Sequence, residues 1–159
     1  MSAPLSSSAR RVQEALQSLG VGSRVTEMSA TTRSAQDAAR AVGCEVGQIA
    51  KSLVFKGASS HKGILVIASG ANRVNEKALS RLLDEPILKA DADFVRQATG
   101  FAIGGVPPIG HLQALTVFID TDLFRYADIW AAAGTPQALF QTTAGELQRI
   151  TGGKVICIK

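Results

Sequence analysis

The stretch Gly100-Phe-Ala-Ile-Gly-Gly-Val-Pro-Pro-Ile-Gly-His111 holds four glycines and two prolines between apolar segments. Glycine reaches backbone conformations that other residues avoid, and it lets a ligand approach the main chain closely. Proline fixes its own φ and restricts the residue before it. The stretch therefore predicts a stiff loop whose main-chain N–H groups can converge on a phosphate, a carboxylate or a developing oxyanion. The same residues also suit an ordinary tight connection between two strands, and composition alone leaves both interpretations open.

The segments on both sides of this loop carry helix and strand patterns in no regular βαβ rhythm. Capping residues and apolar spacing predict helices at 9–19 (capped by Ser8), 35–42, 76–83, 92–99 and 144–151, the last opened by a capping box of Thr143 and Glu146. Alternation and turn residues predict strands at 24–28, 49–55, 64–69, 87–89, 115–120 and 155–158, with two short extended pieces within 129–140. The strands 49–55 and 64–69 are joined by a polar turn and are predicted to form a hairpin. This order favours an α+β fold with a mixed, curved sheet over a doubly wound parallel fold.

The totals describe one ordinary globular domain. The chain has 159 residues, of which 46% are apolar and 19% charged, and no apolar run approaches a membrane span. Residues 1–8 lack the features of a signal peptide and are predicted to be a mobile lead-in to a single domain at 9–159. Cys44 and Cys157 are far apart in sequence, so neither a disulfide framework nor a zinc site is expected, and a reducing cytoplasm is the simplest compartment. The net charge of +4 permits a polyanionic partner such as RNA without requiring one.

Lys51 is the most informative single residue. In the predicted strand 49–55, Lys51 shares one face with Ile49, Leu53 and Phe55, the more apolar row. Burying an ammonium group is costly unless it is paired, so a lysine in such a row often meets a ligand. The alternative is a lysine at the strand end whose stem is covered and whose head reaches water.

Other catalytic patterns are missing from the sequence. The two histidines, His61 and His111, have no metal-ligand spacing, so no metal is expected. His61 lies in a polar turn, and His111 directly follows the Gly/Pro loop, where either a site role or a structural hydrogen bond is possible. No serine-hydrolase, Walker or Rossmann pattern is present.

Two motifs together resemble a known family. Ile49-Ala-Lys-Ser-Leu-Val-Phe55, followed about fifty residues later by Gly104-Gly-Val-Pro-Pro-Ile-Gly110, is similar to the YbaK/prolyl-tRNA-synthetase-associated (ProX-like, INS superfamily) domains, which hydrolyse mischarged aminoacyl-tRNA. The similarity runs over nearly the whole chain. It implies a mixed, partly barrel-like β-sheet surrounded by helices, with Lys51 and the loop facing each other across a pocket for the aminoacyl end of tRNA.

The resemblance also implies roles for particular residues. Lys51 is the expected catalytic cation, and the expected substrate-binding residues are Ser52, Gly104, Gly105, Pro108, Gly110 and His111. No cofactor is implied. The partners implied are mischarged aminoacyl-tRNA and an aminoacyl-tRNA synthetase, and no membrane. Water is the preferred attacking group, with a substrate side chain or a ribose hydroxyl as alternatives.

One departure bears on the substrate. The cysteine-clearing branch of the family has a serine and an aspartate in its C-terminal third, where this chain has Ala132 and Leu139. A small or medium apolar amino acid is therefore favoured, and the resemblance implies that it is carried by tRNA-Pro or a related tRNA. The function expected is trans-editing deacylation. The alternatives are a non-catalytic tRNA- or synthetase-binding module of the same fold, and a phosphate-binding protein that uses the same loop.

Overall fold

Five helices and eight strands make up the described part of the chain, residues 5–28 and 34–159 of the computed structural model. The helices are α1 (Ser7–Ser18), α2 (Ala35–Val42), α3 (Glu76–Leu83), α4 (Ala92–Thr99) and α5 (Ala144–Thr151). The strands are β1 (Thr26–Glu27), β2 (Ile49–Gly57), β3 (Gly63–Ser69), β4 (Ile87–Lys89), β5 (Thr116–Asp120), β6 (Ile129–Ala132), β7 (Ala138–Thr142) and β8 (Lys154–Ile156). Short 3-10 helices lie at Val46–Gln48 and Thr121–Arg125.

All eight strands belong to one mixed sheet. Its order is β1-β7-β6-β2-β3-β5-β8, and β4 pairs with β2 outside this path. The pairs β2–β6, β3–β5 and β5–β8 are parallel, and the remaining pairs are antiparallel. The predicted α+β class with a mixed sheet is confirmed.

Apolar side chains cover both faces of the sheet. On one face, Leu65 and Ile67 of β3 join a cluster with residues of α1, α4 and α5. On the other face, Ile64 and Val66 cluster with Leu79 of α3. The alternation of β3 side chains between the two clusters explains why every residue of this strand is buried.

Local sequence signals fixed most element ends. The hydroxyl or carboxylate oxygens of Ser34, Asn75, Asp91 and Thr143 accept main-chain N–H groups at the starts of α2, α3, α4 and α5. The predicted hairpin of β2 and β3 is also present. Each of these features depends on neighbours in sequence, which is why a pattern could predict it.

Two predictions at helix starts were wrong in detail. The cap of α1 is Ser6 rather than Ser8, so the helix begins before its predicted start; residues 1–4 lie outside the described part. At α5, the Glu146 carboxylate accepts from the Thr142 hydroxyl at 2.6 Å. A capping box at this helix was predicted from Thr143 and Glu146, and only the Thr143 half of it is observed.

None of the helices within residues 5–28 and 34–159 is long and apolar enough to cross a membrane.

Candidate active site

Strand β2 has a continuous neighbour on one edge and an interrupted one on the other. It pairs with β3 along nearly its whole length. On the opposite edge, β6 pairs with Ile49 and Ala50, and β4 pairs with residues 55–57. Residues 51–54 have no strand partner on that edge among the described residues. The sheet therefore has a gap between β6 and β4, and Lys51 is the first residue in it.

A cleft with two branches opens at this gap. The wide branch has a volume of about 480 Å³ and the narrow branch about 250 Å³. Six residues line both branches: Lys51, Ser52, Leu53, Ile103, Gly104 and Val106. The strand that carries the predicted lysine and the loop that carries the predicted glycines thus border the same cavity.

Lys51 lies half-buried at the junction of the branches. Its row on β2 is apolar as predicted, with Ile49 and Phe55 buried. No hydrogen bond or ion pair to another described residue holds its ammonium group. Burial lowers the pKa of Lys51, the positive charge of Arg73 lowers it further, and the carboxylate of Asp120 acts in the opposite direction. An unpaired, partly desolvated cation in a cleft is suited to meet an anionic or strongly polarised ligand group.

The wide branch is the more charged of the two. Besides Lys51, it is lined by Arg73 and Lys89, with Glu76 as the carboxylate in its wall. Three cations and one carboxylate give this branch a positive balance. A site of this sign attracts phosphate and other anionic groups.

The segment that carries Arg73 is held by a buried carboxylate. Asp120 is 1% exposed, and its oxygens accept from the Ser69 N–H at 2.9 Å and the Asn72 side-chain amide at 2.8 Å. The Asp122 N–H also donates to Asp120, at 2.9 Å. Asp120 therefore ties the end of β5 to the end of β3 and fixes the residue next to Arg73.

The narrow branch is mainly apolar. Its own lining residues are Ser34, Ala35, Ala38, Ile49, Ala50, Ala132, Pro136 and Leu139. Four alanines leave room near the wall that a larger side chain would fill. The two positions at which the sequence departs from the cysteine-clearing pattern, Ala132 and Leu139, both lie in this branch.

The glycine loop crosses the cleft as a tight turn. The Gly105 N–H donates to the Ala102 carbonyl at 3.1 Å, and Gly104 has a φ of +92°, the pattern of a type II turn. Glycine is favoured at Gly104 because other residues are strained at this φ. No hydrogen bond within the described part uses the main-chain N–H of Gly104, whereas the Gly105 N–H is occupied by the turn.

Four of the predicted binding residues do not line either branch. Gly105 packs against the main chain of Gly134 and Thr135, and Pro108 is buried. Gly110 is exposed on the side of α1, with φ +83°. These residues shape and anchor the loop, while Lys51, Ser52 and Gly104 form the wall of the cleft.

His111 is the fourth residue placed outside the cleft. Its Nε2 donates to the Pro107 carbonyl at 2.7 Å. Burial lowers the pKa of His111, and this hydrogen bond opposes the shift. The structural hydrogen bond, one of the two roles open from the sequence, is what the geometry shows.

Sequence reasoning missed Arg73, Lys89 and the role of Asp120. In sequence, Arg73 and Lys89 resemble ordinary surface charges, because no pattern in the neighbouring residues indicates that a charge faces a cleft. Asp120 stands at the end of a strongly apolar strand, and a carboxylate there was a usable but unspecific signal.

Comparison with known structures defines the class of protein to which this fold and cleft belong. A structure described as that of a proposed trans-editing enzyme for prolyl-tRNA synthetase is 50% identical, with a TM-score of 0.93 over 98% of this chain and 99% of that one. The hypothetical protein APE2540 is 26% identical, with a TM-score of 0.85 over 93% of this chain and 98% of that one. The fold is thus that of a trans-editing domain.

The family follows from the sequence. Residues 29–150 match the family described as the aminoacyl-tRNA editing domain, and the chain belongs to this family. The uncharacterized protein YwhH of Bacillus subtilis (strain 168) is 29% identical over 131 residues, which cover 82% of this chain and 83% of that protein. The resemblance drawn from the two sequence motifs is confirmed.

Proposed function

We propose that this protein is a trans-editing deacylase that hydrolyses the ester of mischarged aminoacyl-tRNA. The observation that carries the proposal is the unpaired Lys51 ammonium, which shares a cleft with the free Gly104 N–H in a chain of the editing family. The substrate is a ribose ester of an amino acid, and its carbonyl carbon is the point of attack.

The chemistry proposed is addition of water followed by loss of the ribose oxygen. Water adds to the acyl carbon, and the carbonyl oxygen becomes an oxyanion that the Lys51 ammonium and the Gly104 N–H stabilise. The bond between the acyl carbon and the ribose oxygen then breaks, and that oxygen takes up the proton from water. The products are the free amino acid and uncharged tRNA, so no cofactor enters the balance.

The two branches bind different parts of the substrate, the tRNA end and the amino-acid side chain. Arg73 and Lys89 in the wide branch supply positive charge for the phosphates and ribose of the tRNA end. The apolar narrow branch, with Ala35, Ala132 and Leu139, takes the amino-acid side chain. A small or medium apolar amino acid fits this wall, and the residues that line the narrow branch alone include no acidic or basic side chain.

Similarity supports the choice of the tRNA to test. The relative described as acting for prolyl-tRNA synthetase is 50% identical over 98% of this chain. We therefore assign tRNA-Pro, charged by prolyl-tRNA synthetase with a wrong amino acid, as the substrate to test first. With a tRNA substrate of this kind, we expect the protein to act in the cytoplasm.

The test is a deacylation panel. Purified protein is incubated with tRNA-Pro carrying alanine, valine, leucine, cysteine or the cognate proline, and ester loss is compared with buffer. We expect hydrolysis of at least one apolar mischarged species, with prolyl-tRNA spared and with activity lost in Lys51→Ala. Lys56→Ala is the matched control, because Lys56 is on the same strand but outside the cleft lining.

Two results would contradict the proposal. No hydrolysis of any ester, with tRNA still bound, would favour the non-catalytic binding module of the same fold. Full activity in Lys51→Ala would remove the lysine from the mechanism.

A further inference from the structure

The hydrogen-bond pattern of β2 fixes the direction of the Ser52 main chain. The Gly57 N–H donates to the Lys62 carbonyl at 3.0 Å, and the Gly70 N–H donates to the Ile49 carbonyl at 2.7 Å. Both bonds show that the odd-numbered residues of β2 direct their main-chain N–H and C=O groups toward β3. In an antiparallel pair such positions alternate with positions whose N–H and C=O point away. Ser52 is one of the latter, so both of its main-chain groups point into the gap in the sheet.

The even-numbered residues before and after Ser52 in β2 have partners on the open edge, and Ser52 does not. Ala50 is paired with Ala131 of β6, and the Val54 carbonyl accepts from the Ala90 N–H at 3.3 Å. Ser52 lies between these two pairings. Ser52 has no partner residue in the pairing of β2 with β6 or with β4, and no loop or turn hydrogen bond within residues 5–28 and 34–159 involves its main-chain N–H or C=O.

The side chain of Ser52 gives a second, independent observation. Its Oγ is buried and has no hydrogen-bond partner in the described part of the chain. Buried polar groups are nearly always paired, and an orphaned one costs free energy unless a ligand or an ordered water completes it. Three polar groups of one residue are thus unpartnered at the junction of the two branches, next to Lys51.

We propose that the main-chain N–H of Ser52 donates to the carbonyl oxygen of the aminoacyl ester and is an oxyanion donor of this cleft. This inference rests on the proposed deacylase function. Ser52 is on the strand wall of the cleft, and Gly104 is on its loop wall. Because β3 holds β2 in place, the donor is positioned before the substrate arrives, which is the condition under which such a donor accelerates a reaction most.

The role is kinetic, because charge on the oxygen grows during the reaction. Water adds to the acyl carbon, the carbonyl electrons move onto the oxygen, and the hydrogen bond from Ser52 strengthens as they do. The bond is weaker to the neutral ester than to the oxyanion. Loss of the donor is therefore expected in kcat rather than in KM.

The test replaces single amide groups by esters. The α-hydroxy analogue of serine at position 52 removes the Ser52 N–H and keeps its side chain. The α-hydroxy analogue of valine at position 54 is the matched control, since it makes the same change on the same strand edge. We expect the Ser52 ester to lower kcat by about 100- to 1,000-fold, and the Val54 ester to cost much less.

The outcomes distinguish failure of the deacylase function from failure of the Ser52 donor alone. If the wild-type protein hydrolyses no mischarged tRNA, the deacylase function fails and this inference fails with it. If the wild-type protein is active but the Ser52 and Val54 esters lose activity equally, or neither does, the deacylase function stands and the Ser52 donor is wrong.

A measurement on the unaltered protein covers the case in which the ester protein does not fold. Amide hydrogen exchange of Ser52 is followed by NMR with and without a non-hydrolysable 3′-aminoacylamino-3′-deoxyadenosine. We expect exchange at Ser52 to be fast in the free protein and to slow on binding, whereas Lys51, bonded to β3, is slow throughout. Slow exchange at Ser52 in the free protein would show that its N–H is already occupied and would overturn the inference.

Discussion

The Gly134 N–H donates to the Gly105 carbonyl at 2.8 Å, which joins the glycine loop to the segment between β6 and β7. A Cβ on Gly105 would lie 2.8 Å from the Gly134 main chain and from the Thr135 Cα. The loop is therefore set over the cleft by contact of main chain with main chain, and glycine at position 105 is required by this approach rather than by a ligand.

Substitution of Gly105 tests this contact. We expect Gly105→Ala to lower the free energy of unfolding by about 1–3 kcal/mol, because neither main chain can yield to the added methyl group. Urea denaturation followed by circular dichroism measures the change. The matched control is Gly145→Ala in α5, where a Cβ meets no atom within 4 Å and alanine should stabilise the helix slightly. Equal stability of Gly105→Ala and wild type would mean that the loop is free to move.

Removing the Lys51 charge should separate stability from activity. Burial lowers the pKa of Lys51, so the protonated amine destabilises the folded state relative to the unfolded chain at neutral pH. We expect Lys51→Met to unfold at a higher urea concentration than wild type at pH 7 and to lose deacylation. As pH rises through the lowered pKa, Lys51 loses its proton in the folded protein while it still keeps it in the unfolded chain, so the free energy of unfolding of the wild type increases. The difference in stability between Lys51→Met and the wild type should therefore become smaller.

The control for this prediction is Lys56→Met. Lys56 is on the same strand, with its Nζ 5.1 Å from the centre of the Phe94 ring, and we expect no gain in stability there. A Lys51→Met protein less stable than wild type at pH 7 would contradict the prediction.

The charge of Arg73 should be visible in the titration of Lys51. Arg73 lowers the pKa of Lys51, so Arg73→Gln should raise that pKa toward the ordinary lysine value, and Lys51 should stay protonated to higher pH. NMR of ¹³Cε-labelled lysine against pH measures it directly. Arg81→Gln, an exposed change on α3, should leave the Lys51 titration unchanged, and a downward shift in Arg73→Gln would be the wrong sign.

Asp120 should matter for stability and for substrate affinity together. In the wild type, three donors point at the Asp120 carboxylate. Asp120→Asn keeps the side-chain volume, but its NH₂ group would face at least one of these donors. We expect a loss of about 1–3 kcal/mol for each buried donor left without an acceptor, together with a higher KM, because the Arg73 segment is released. Asp128→Asn, at an exposed carboxylate, should change neither quantity.

The narrow branch should set the amino-acid preference. Ala132→Val adds volume to its wall, so we expect kcat/KM for the preferred apolar substrate to fall by roughly 10- to 200-fold. Hydrolysis of glycyl-tRNA-Pro, which places no side chain there, should change much less. If both substrates lose activity in the same proportion, the side chain binds elsewhere.

Much of the fold could be predicted because its signals are local. The caps of α2 to α5 and the hairpin of β2 and β3 each depend on residues a few positions apart. The start of α1 was misplaced by two residues, because three consecutive serines offer similar caps and only packing selects Ser6.

The candidate site could be predicted only in part, because only some of its residues carry a local signal. Lys51 was visible as a charge in an apolar row, and Gly104 as part of a glycine-rich loop. The charges of Arg73 and Lys89 carry no such mark. Gly105 and Gly104 look alike in sequence, and only their surroundings separate a residue that packs on Gly134 from one that borders the cleft.

The sequence by itself determined the class of fold, the elements and the family, since alternation, caps and two motifs are properties of the chain read in order. The tertiary structure alone decided that β6 and β4 leave residues 51–54 without a strand partner on one edge. It also decided that the glycine turn covers that gap. Both depend on contacts between residues far apart in sequence, whose formation is governed by the packing of the whole domain rather than by any local preference.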